Sequence, residues 1–266
     1  MTKKIATYWT GKSVVVTGAS SGLGKAVVEA LAPFTIRFCL LSRREEPMLE
    51  LANSLKSSGS TFWVKRCDVQ VREQVYAAIQ EFHSVAGSID AVWVNSGIGS
   101  NSSFEKWNWE DVEATIDTNL KGAIYTTRAC LEAMVPQGRG TVIAIGSAAS
   151  MRGLPTRGIY SLTKIGLHYF IESLAAELPM IQFTMIHPGY VETPIISKNM
   201  KPLWVMPAEK AARIMIAAVA DRKKLLIYPF PMKVLYRLVK LIPLPLYVTV
   251  ARKIIRTYYR KNYTED

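Results

Sequence analysis

Gly18, Gly22 and Gly24, set directly behind the apolar run Ser13-Val-Val-Val-Thr17, constrain this chain more than any other feature. An unbroken β-branched run of that length suits a strand buried on both faces. Beyond the glycines, Ala26, Val27, Ala30 and Leu31 recur at helical spacing, the mark of an amphipathic helix. A strand that turns into a helix within one short loop needs a residue free of Cβ sterics, and Gly18 supplies it. Gly22 lets a phosphate approach the main chain, and Gly24 lets helix pack closely on strand. The helix then offers unpaired N–H groups and the positive end of its dipole to an anion. Ser20, Ser21 and Leu23 complete the turn. The spacing is G-x-x-x-G-x-G, unlike the usual G-x-G-x-x-G dinucleotide fingerprint, so an ordinary glycine-rich turn competes with the phosphate-binding reading.

The remaining pattern alternates. Strands are predicted near 13–17, 36–42, 61–66, 90–94, 140–146, 181–187 and 224–228. Helices are predicted near 23–32, 45–57, 71–86, 109–135, 158–178 and 208–220. Such alternation predicts an α/β fold: a single doubly wound, Rossmann-type parallel sheet with helices on both faces. A chain of 266 residues, 49% apolar, has enough material for that core. Residues 1–229 are expected to form the catalytic domain and 230–266 a C-terminal helical appendage. Met1 to Lys12 lack the apolar core of a signal peptide, and a cytoplasmic protein is expected. Cys39, Cys67 and Cys130 read as reduced core thiols. His83, His168 and His187 show no ligand spacing, and no metal site is expected; His187, beside Pro188-Gly189, reads as structural.

Tyr160-Ser-Leu-Thr-Lys164 carries the chemistry. Residues at i and i+4 share a helix face, so the phenol and the ammonium lie together. A phenol titrating near 10 is sluggish at neutral pH. A neighbouring cation favours the phenolate and moves the group toward useful acid–base work. Ser147, from another element, would offer its hydroxyl to the same substrate oxygen. Alone, Y-x-x-x-K equally describes an exposed surface pair.

Taken together these motifs resemble the short-chain dehydrogenase/reductase family, from about Lys12 to about Pro229. Thr17 to Gly24 is similar to its cofactor glycine motif, and Asp68-Val69 to its adenine-contacting pair. Asn95-Ser96-Gly97 is similar to its N-A-G, with Val94 where the pattern has a further Asn. Asn119, Ser147, Tyr160 and Lys164 are similar to its catalytic tetrad. Pro188-Gly189-x-Val191-x-Thr193 is similar to the turn holding the nicotinamide carboxamide. The resemblance implies hydride transfer between nicotinamide and a carbon bearing oxygen, with Tyr160 as proton donor and acceptor. Lys164 would hold the nicotinamide ribose, and Asn119 would support a water linking Lys164 to solvent.

At the end of the second strand Ser42 stands where NAD-specific enzymes place an acid, and Arg43 and Arg44 follow. A guanidinium pairs bidentately with a 2′-phosphate, so NADP (NADPH) is expected over NAD. Arg43 is expected to make that contact, with Arg44 the more solvated of the two. The segment from Tyr190 to Met206, with Ile195, Ile196, Leu203, Trp204 and Val205, predicts an apolar lid over a hydrophobic carbonyl or alcohol. The same residues, like Trp107 and Trp109, equally read as packing on the protein.

From Arg222 to Lys261 the chain carries eleven of its 33 Lys and Arg residues and no acid. Lys233, Arg237 and Lys240 recur at helical spacing among apolar residues. Pro243-Leu244-Pro245 interrupts, and Arg252, Arg256 and Arg260 recur at every fourth residue. The charges and prolines exclude a transmembrane span. Two amphipathic helices are expected, lying against an anionic membrane surface or against the domain or a second subunit of a homo-oligomer. No nucleic-acid motif accompanies the charge, and no nucleic-acid partner is expected. A non-catalytic NADP-binding adaptor working through this tail is the alternative function.

Overall fold

The computed structural model describes residues 2–194 and 204–263, the last eight of these by backbone alone. Seven parallel strands form one sheet in the order β3-β2-β1-β4-β5-β6-β7. They are β1 (Ser13–Thr17), β2 (Arg37–Ser42), β3 (Thr61–Arg66), β4 (Ala91–Val94), β5 (Gly140–Ile145), β6 (Ile181–Pro188) and β7 (Leu225–Tyr228). Each expected strand is present within a residue or so. The strand order reverses between β1 and β4, the kind of parting at which doubly wound sheets bind ligands.

Helices cover both faces: α1 (Lys3–Trp9), α2 (Gly22–Leu31), α3 (Glu46–Ser54), α4 (Arg72–Ala86), α5 (Trp109–Ile116), α6 (Gly122–Met134), α7 (Gly158–Glu177) and α8 (Ala208–Ala220). One apolar cluster packs Val14, Val16, Leu40 and Trp93 against α2 and α8. The other packs Val15, Leu41, Val92 and Val94 against α4, α6 and α7. Adjacent β1 residues thus feed opposite layers, as the period-2 alternation of a strand requires. Val94, in the place of an Asn, is an ordinary member of the second layer.

Two elements depart from expectation. Helix α1 falls in a stretch that looked merely polar, yet Trp9 is fully buried, stacks on Trp93 at 6.2 Å and donates from Nε1 to the Ile216 carbonyl at 3.1 Å. A seven-residue helix with one apolar anchor offers no period to read. The long helix predicted over 109–135 is split by a π-helical segment, Asp117–Lys121, between α5 and α6. Such segments often sit at functional positions, and this one carries Asn119.

The tail forms α9 (Phe230–Leu241) and α10 (Leu244–Tyr263), parted at the predicted prolines. Met232 and Tyr236, one turn apart, are the residues α9 buries. Arg152 closes the end of α9, donating to the Val239 and Lys240 carbonyls at 3.2 Å each and to that of Ile242. Tyr247 of α10 donates to the Gly153 carbonyl at 2.8 Å. Chain position 229 therefore falls at a packed junction. The side chains of Arg256 and Arg260 lie outside the described residues, as do Ile195, Ile196 and Leu203 of the expected lid.

Candidate active site

The parallel topology delivers the C-terminal ends of β1, β4, β5 and β6 to one edge of the sheet, and the expected residues with them. Gly18 and Gly22 both adopt positive φ, +67° and +55°, where a Cβ would be strained. A Cβ on Gly24 would lie 2.3 Å from the Gly18 carbonyl oxygen, so only glycine allows α2 to start this close to β1. The N-cap Ser21 makes no side-chain cap bond and the first turn holds no acid. The helix end therefore keeps donors and positive dipole available to an anion. These are the features a cofactor pyrophosphate needs, and the residues fit it.

Asn95 ties the glycine turn to β4, with Nδ2 donating to the Thr17 carbonyl at 3.1 Å and to that of Gly18 at 3.4 Å. Thr17 Oγ1 answers by accepting from Asn95 N and Ser96 N at 3.1 and 3.2 Å. From the other side, Thr193 would touch a Cβ on Gly22 at 3.2 Å. Val191 is buried and bridged to Met206, and Gly189 N–H donates to the Tyr228 carbonyl at 2.7 Å. The Pro188–Thr193 turn thus closes over the glycine motif. Asp68 accepts from Gln70 N–H at 3.1 Å, while Val69 packs where a Cβ on Gly122 would be only 2.8 Å away.

The two arginines differ in their partners. Arg44, expected to be the solvated one, donates from Nη2 to Ser20 Oγ at 3.1 Å and Ser21 Oγ at 2.9 Å. Ser42 Oγ lies 2.8 Å from Ser20 Oγ, so three hydroxyls gather beneath one guanidinium. Arg43 is exposed. Arg44 N–H also bonds back to Ser42 Oγ at 3.4 Å, and it is the second arginine whose guanidinium reaches the serines of the glycine motif.

Ser147, Tyr160, Lys164 and Asn119 meet. Tyr160 is half-buried near the start of α7, close enough to Ser147 for that side chain to act on its titration. Burial raises its pKa above the usual 10; the Ser147 side chain and the Arg157 charge pull it back. Ser147 Oγ accepts from Ala149 N–H at 3.1 Å, which leaves its own proton free to donate. Lys164 is 4% exposed, and its Nζ donates to the Ile145 carbonyl at 3.0 Å while lying 5.8 Å from the Tyr160 ring centroid. Burial pushes this ammonium down to about 8. The expected lowering of Tyr160 by Lys164 is thus not what dominates here: burial raises the phenol, and the opposing pull comes from Ser147 and Arg157.

Asn119 is fully buried, but its amide is already engaged. Oδ1 accepts from Ile98 N–H at 2.8 Å, and Nδ2 donates to the Ile98 carbonyl at 2.9 Å and to Thr163 Oγ1 at 3.3 Å. It locks the loop after β4 onto α7. A Cβ on Gly97 would stand 3.3 Å from both Asn119 Oδ1 and Lys164 Nζ, so that glycine keeps the space beside the lysine open. Sequence reasoning missed the setting of His187, which accepts the Ser147 N–H on Nδ1 at 3.2 Å. Its position beside Pro188 was the available signal. Trp107 and Trp109 stand exposed and edge-to-face at 5.4 Å.

The model of the short chain dehydrogenase family matches residues 12–203. An uncharacterized oxidoreductase of Myxococcus xanthus is 31% identical over 246 residues, 91% of this chain and 97% of that protein. The ketoacyl reductase HetN of a Nostoc species is 31% identical over 187 residues, 70% of this chain and 65% of that protein. Among solved structures, an alcohol dehydrogenase of Thermococcus sibiricus complexed with 5-hydroxy-NADP superposes with a TM-score of 0.76 at 27% identity, over 82% of this chain and 95% of its own.

Lys164 carries a charge where charge is costly. Its folded pKa, about 8, lies below the ordinary 10.5. Below pH 8 both folded and unfolded states hold the proton and the full desolvation cost is present; it fades as pH rises from about 8 to 10.5. Lys164→Met should therefore raise stability at pH 7 by up to about 3 kcal/mol, with the gain shrinking toward pH 10. Denaturant midpoints of both proteins at the two pH values measure this, and a variant less stable at pH 7 would contradict it.

Proposed function

The chain belongs to the short-chain dehydrogenase family, and from that premise we propose that it interconverts a hydrophobic carbonyl compound and its alcohol with NADP as the preferred hydride carrier. One observation carries the reading: a half-buried Tyr160 beside Ser147, with the buried Lys164 one turn on and its Nζ 5.8 Å from the phenol ring, at the sheet edge that holds the glycine turn. When bound, the nicotinamide supplies or accepts the hydride. The Gly18–Gly24 turn and the start of α2 would hold the pyrophosphate. Asp68 and Val69 would meet the adenine, and Asn95 and Gly97 would support the ribose side. Lys164 would hold the nicotinamide ribose, and Pro188, Gly189, Val191 and Thr193 the carboxamide.

In reduction, Tyr160 gives its phenol proton to the oxygen as negative charge develops there, and Ser147 donates to the same oxygen. Both donors are pre-aimed, so they stabilise the transition state with little reorganisation. Burial keeps the phenol protonated at neutral pH, the form reduction needs. In oxidation the phenolate must form, and the Arg157 and Lys164 charges favour it. An adaptor would have no use for these four residues together, and that argues against the non-catalytic alternative. Tyr160→Phe should lower turnover at least about a hundredfold while leaving cofactor affinity within about twofold. A screen of ketones and aldehydes, long-chain and sterol-like ones included, with NADPH absorbance as readout, supplies the assay; near-normal turnover by the variant would refute the role.

Cofactor choice rests on Arg44 in the revised geometry. No carboxylate stands in the Ser20–Ser21–Ser42–Arg44 cluster, and a 2′-phosphate there would gain charge-assisted bonds. Arg44→Ala should weaken NADPH binding about tenfold to a hundredfold with little change for NADH, and Arg43→Ala should do less. Equal affinity of the unmodified protein for NADPH and NADH would sink the assignment.

The tail supports peripheral association with an anionic membrane. At 3.6 residues per turn, α9 carries three stripes. Met232 and Tyr236 are buried. Lys233, Arg237 and Lys240 form a basic stripe, and Val234, Leu235, Leu238 and Leu241 form an apolar stripe left exposed. Leu244, Leu246, Val250 and Ile254 continue the exposure along α10. Among the described residues no helix is long and apolar enough to cross a membrane. Basic and apolar stripes side by side suit an interfacial position. A homo-oligomer fits the same protein elsewhere, through the groove lined by Ile124, Val135, Phe170 and Leu174 on α6 and α7. The protein should co-sediment with phosphatidylserine vesicles at low salt and release at high salt. Leu238→Ser with Leu241→Ser should weaken that binding about tenfold or more, whereas truncation at residue 229 would also remove Tyr236 and its contacts. Equal binding to neutral and anionic vesicles would overturn the electrostatic reading.

A further inference from the structure

His187, fully buried at the end of β6, lies under Ser147 and takes no part in the chemistry above. Its Nδ1 accepts the Ser147 N–H at 3.2 Å, a bond that requires a bare Nδ1 and so puts the ring proton on Nε2. That nitrogen lies 2.7 Å from His168 Nδ1, and His168 Nε2 lies 3.3 Å from a Glu172 carboxylate oxygen. One set of protons satisfies all three contacts. His187 Nε2–H donates to His168 Nδ1, and His168 Nε2–H donates to exposed Glu172.

The other backbone group of Ser147 is held as well. Its carbonyl accepts from Ser150 Oγ at 2.7 Å and Ser150 N–H at 3.0 Å. Tyr236 of α9 lies with its hydroxyl 3.1 Å from Ser150 Oγ and stacks its ring on His187 at 5.4 Å. Gly146 makes the arrangement possible. A Cβ there would stand 2.5 Å from His187 Nδ1 and 2.7 Å from Cε1, so any other residue would drive the imidazole from beneath the serine.

We propose that His187 is a positioning residue for Ser147: Glu172 and His168 fix its tautomer, and its bare Nδ1 fixes the serine backbone so that the hydroxyl faces Tyr160. The inference rests on the reading of Ser147 and Tyr160 as catalytic. The charged and titratable groups facing the pair are Glu172, Lys240 and Lys164, with the Tyr236 phenol stacked on His187 and the Tyr169 ring edge-on to His168. Burial, then the His168 and Lys240 charges, hold His187 down to about 3, so the ring stays neutral and Nδ1 stays bare at any working pH. A histidine rather than an apolar residue is needed here because the Ser147 N–H would otherwise be buried without an acceptor.

With three histidines in the chain, ¹⁵N-histidine NMR of the full protein reads the tautomer directly, whatever the substrate. Two rings, those of His168 and His187, should show a bare Nδ1 and a protonated Nε2 at neutral pH; His187 should keep that state into mildly acid pH, and His187→Asn should remove its signal. An Nδ1–H tautomer for His187, or titration near 6.5, would overturn the proposal. Kinetics with NADPH and 9,10-phenanthrenequinone as carbonyl probe give the second arm. His187→Leu and Gly146→Ala should each lower kcat about tenfold or more, with NADPH Kd within about twofold. His187→Asn, whose amide oxygen hangs from Cγ as Nδ1 does, should recover most of the loss. Unchanged kcat in the Leu variant, or equal loss of kcat and cofactor binding with no recovery by Asn, would mark His187 as merely structural. An inert unmodified protein would count against the carbonyl-reduction reading, and the NMR assignment would still decide the tautomer.

Discussion

The hydrogen bonds that span the parting of β1 and β4 hold the site together. A parallel sheet whose order reverses there leaves two neighbouring strands sending their chains to opposite faces, and the crevice between them must be kept at a fixed width. Thr17 and Asn95 do this with side chains. One hydroxyl and one amide satisfy four backbone groups across the gap. Because those groups are half-buried or buried, leaving any one unpaired costs about as much as a typical mutation does, 1–3 kcal/mol. The glycine turn, the loop after β4 and, through Asn119, the start of α7 all take their places from this junction.

Much of this was legible in the chain because the sheet is buried on both faces. Short apolar runs alternating with helical periods have few other meanings, so every strand was found. Tyr160 and Lys164 were legible because helix periodicity alone puts them on one face. What was illegible depended on contacts between distant segments. Trp9 anchors α1 by meeting Trp93 and Ile216, and nothing near Trp9 announces either partner. Arg44 rather than Arg43 reaches Ser20 and Ser21, a turn geometry that two adjacent arginines do not encode. His187 and Tyr236 are 49 residues apart in number and gain their meaning from stacking on each other.

Polar groups at the site are held by opposing demands. Lys164 is buried with one carbonyl for company, Tyr160 is pushed toward neutrality, and His187 is kept uncharged, so desolvation acts on all three in the direction of less charge. A site arranged this way stores unfavourable solvation that a bound anion or a developing alkoxide relieves. Such cost is tolerable because the two apolar layers of the sheet supply the stability, and the catalytic edge draws on it.

Arg152, Ser150 and Tyr236 join α9 to the residues just after Ser147. Coupling of that kind works in both directions: whatever stiffens one end stiffens the other, by the same free energy. A sheet edge and a basic helix that look like separate modules in the chain thereby share one hydrogen-bond network, and a change at either end has a direct physical route to the other.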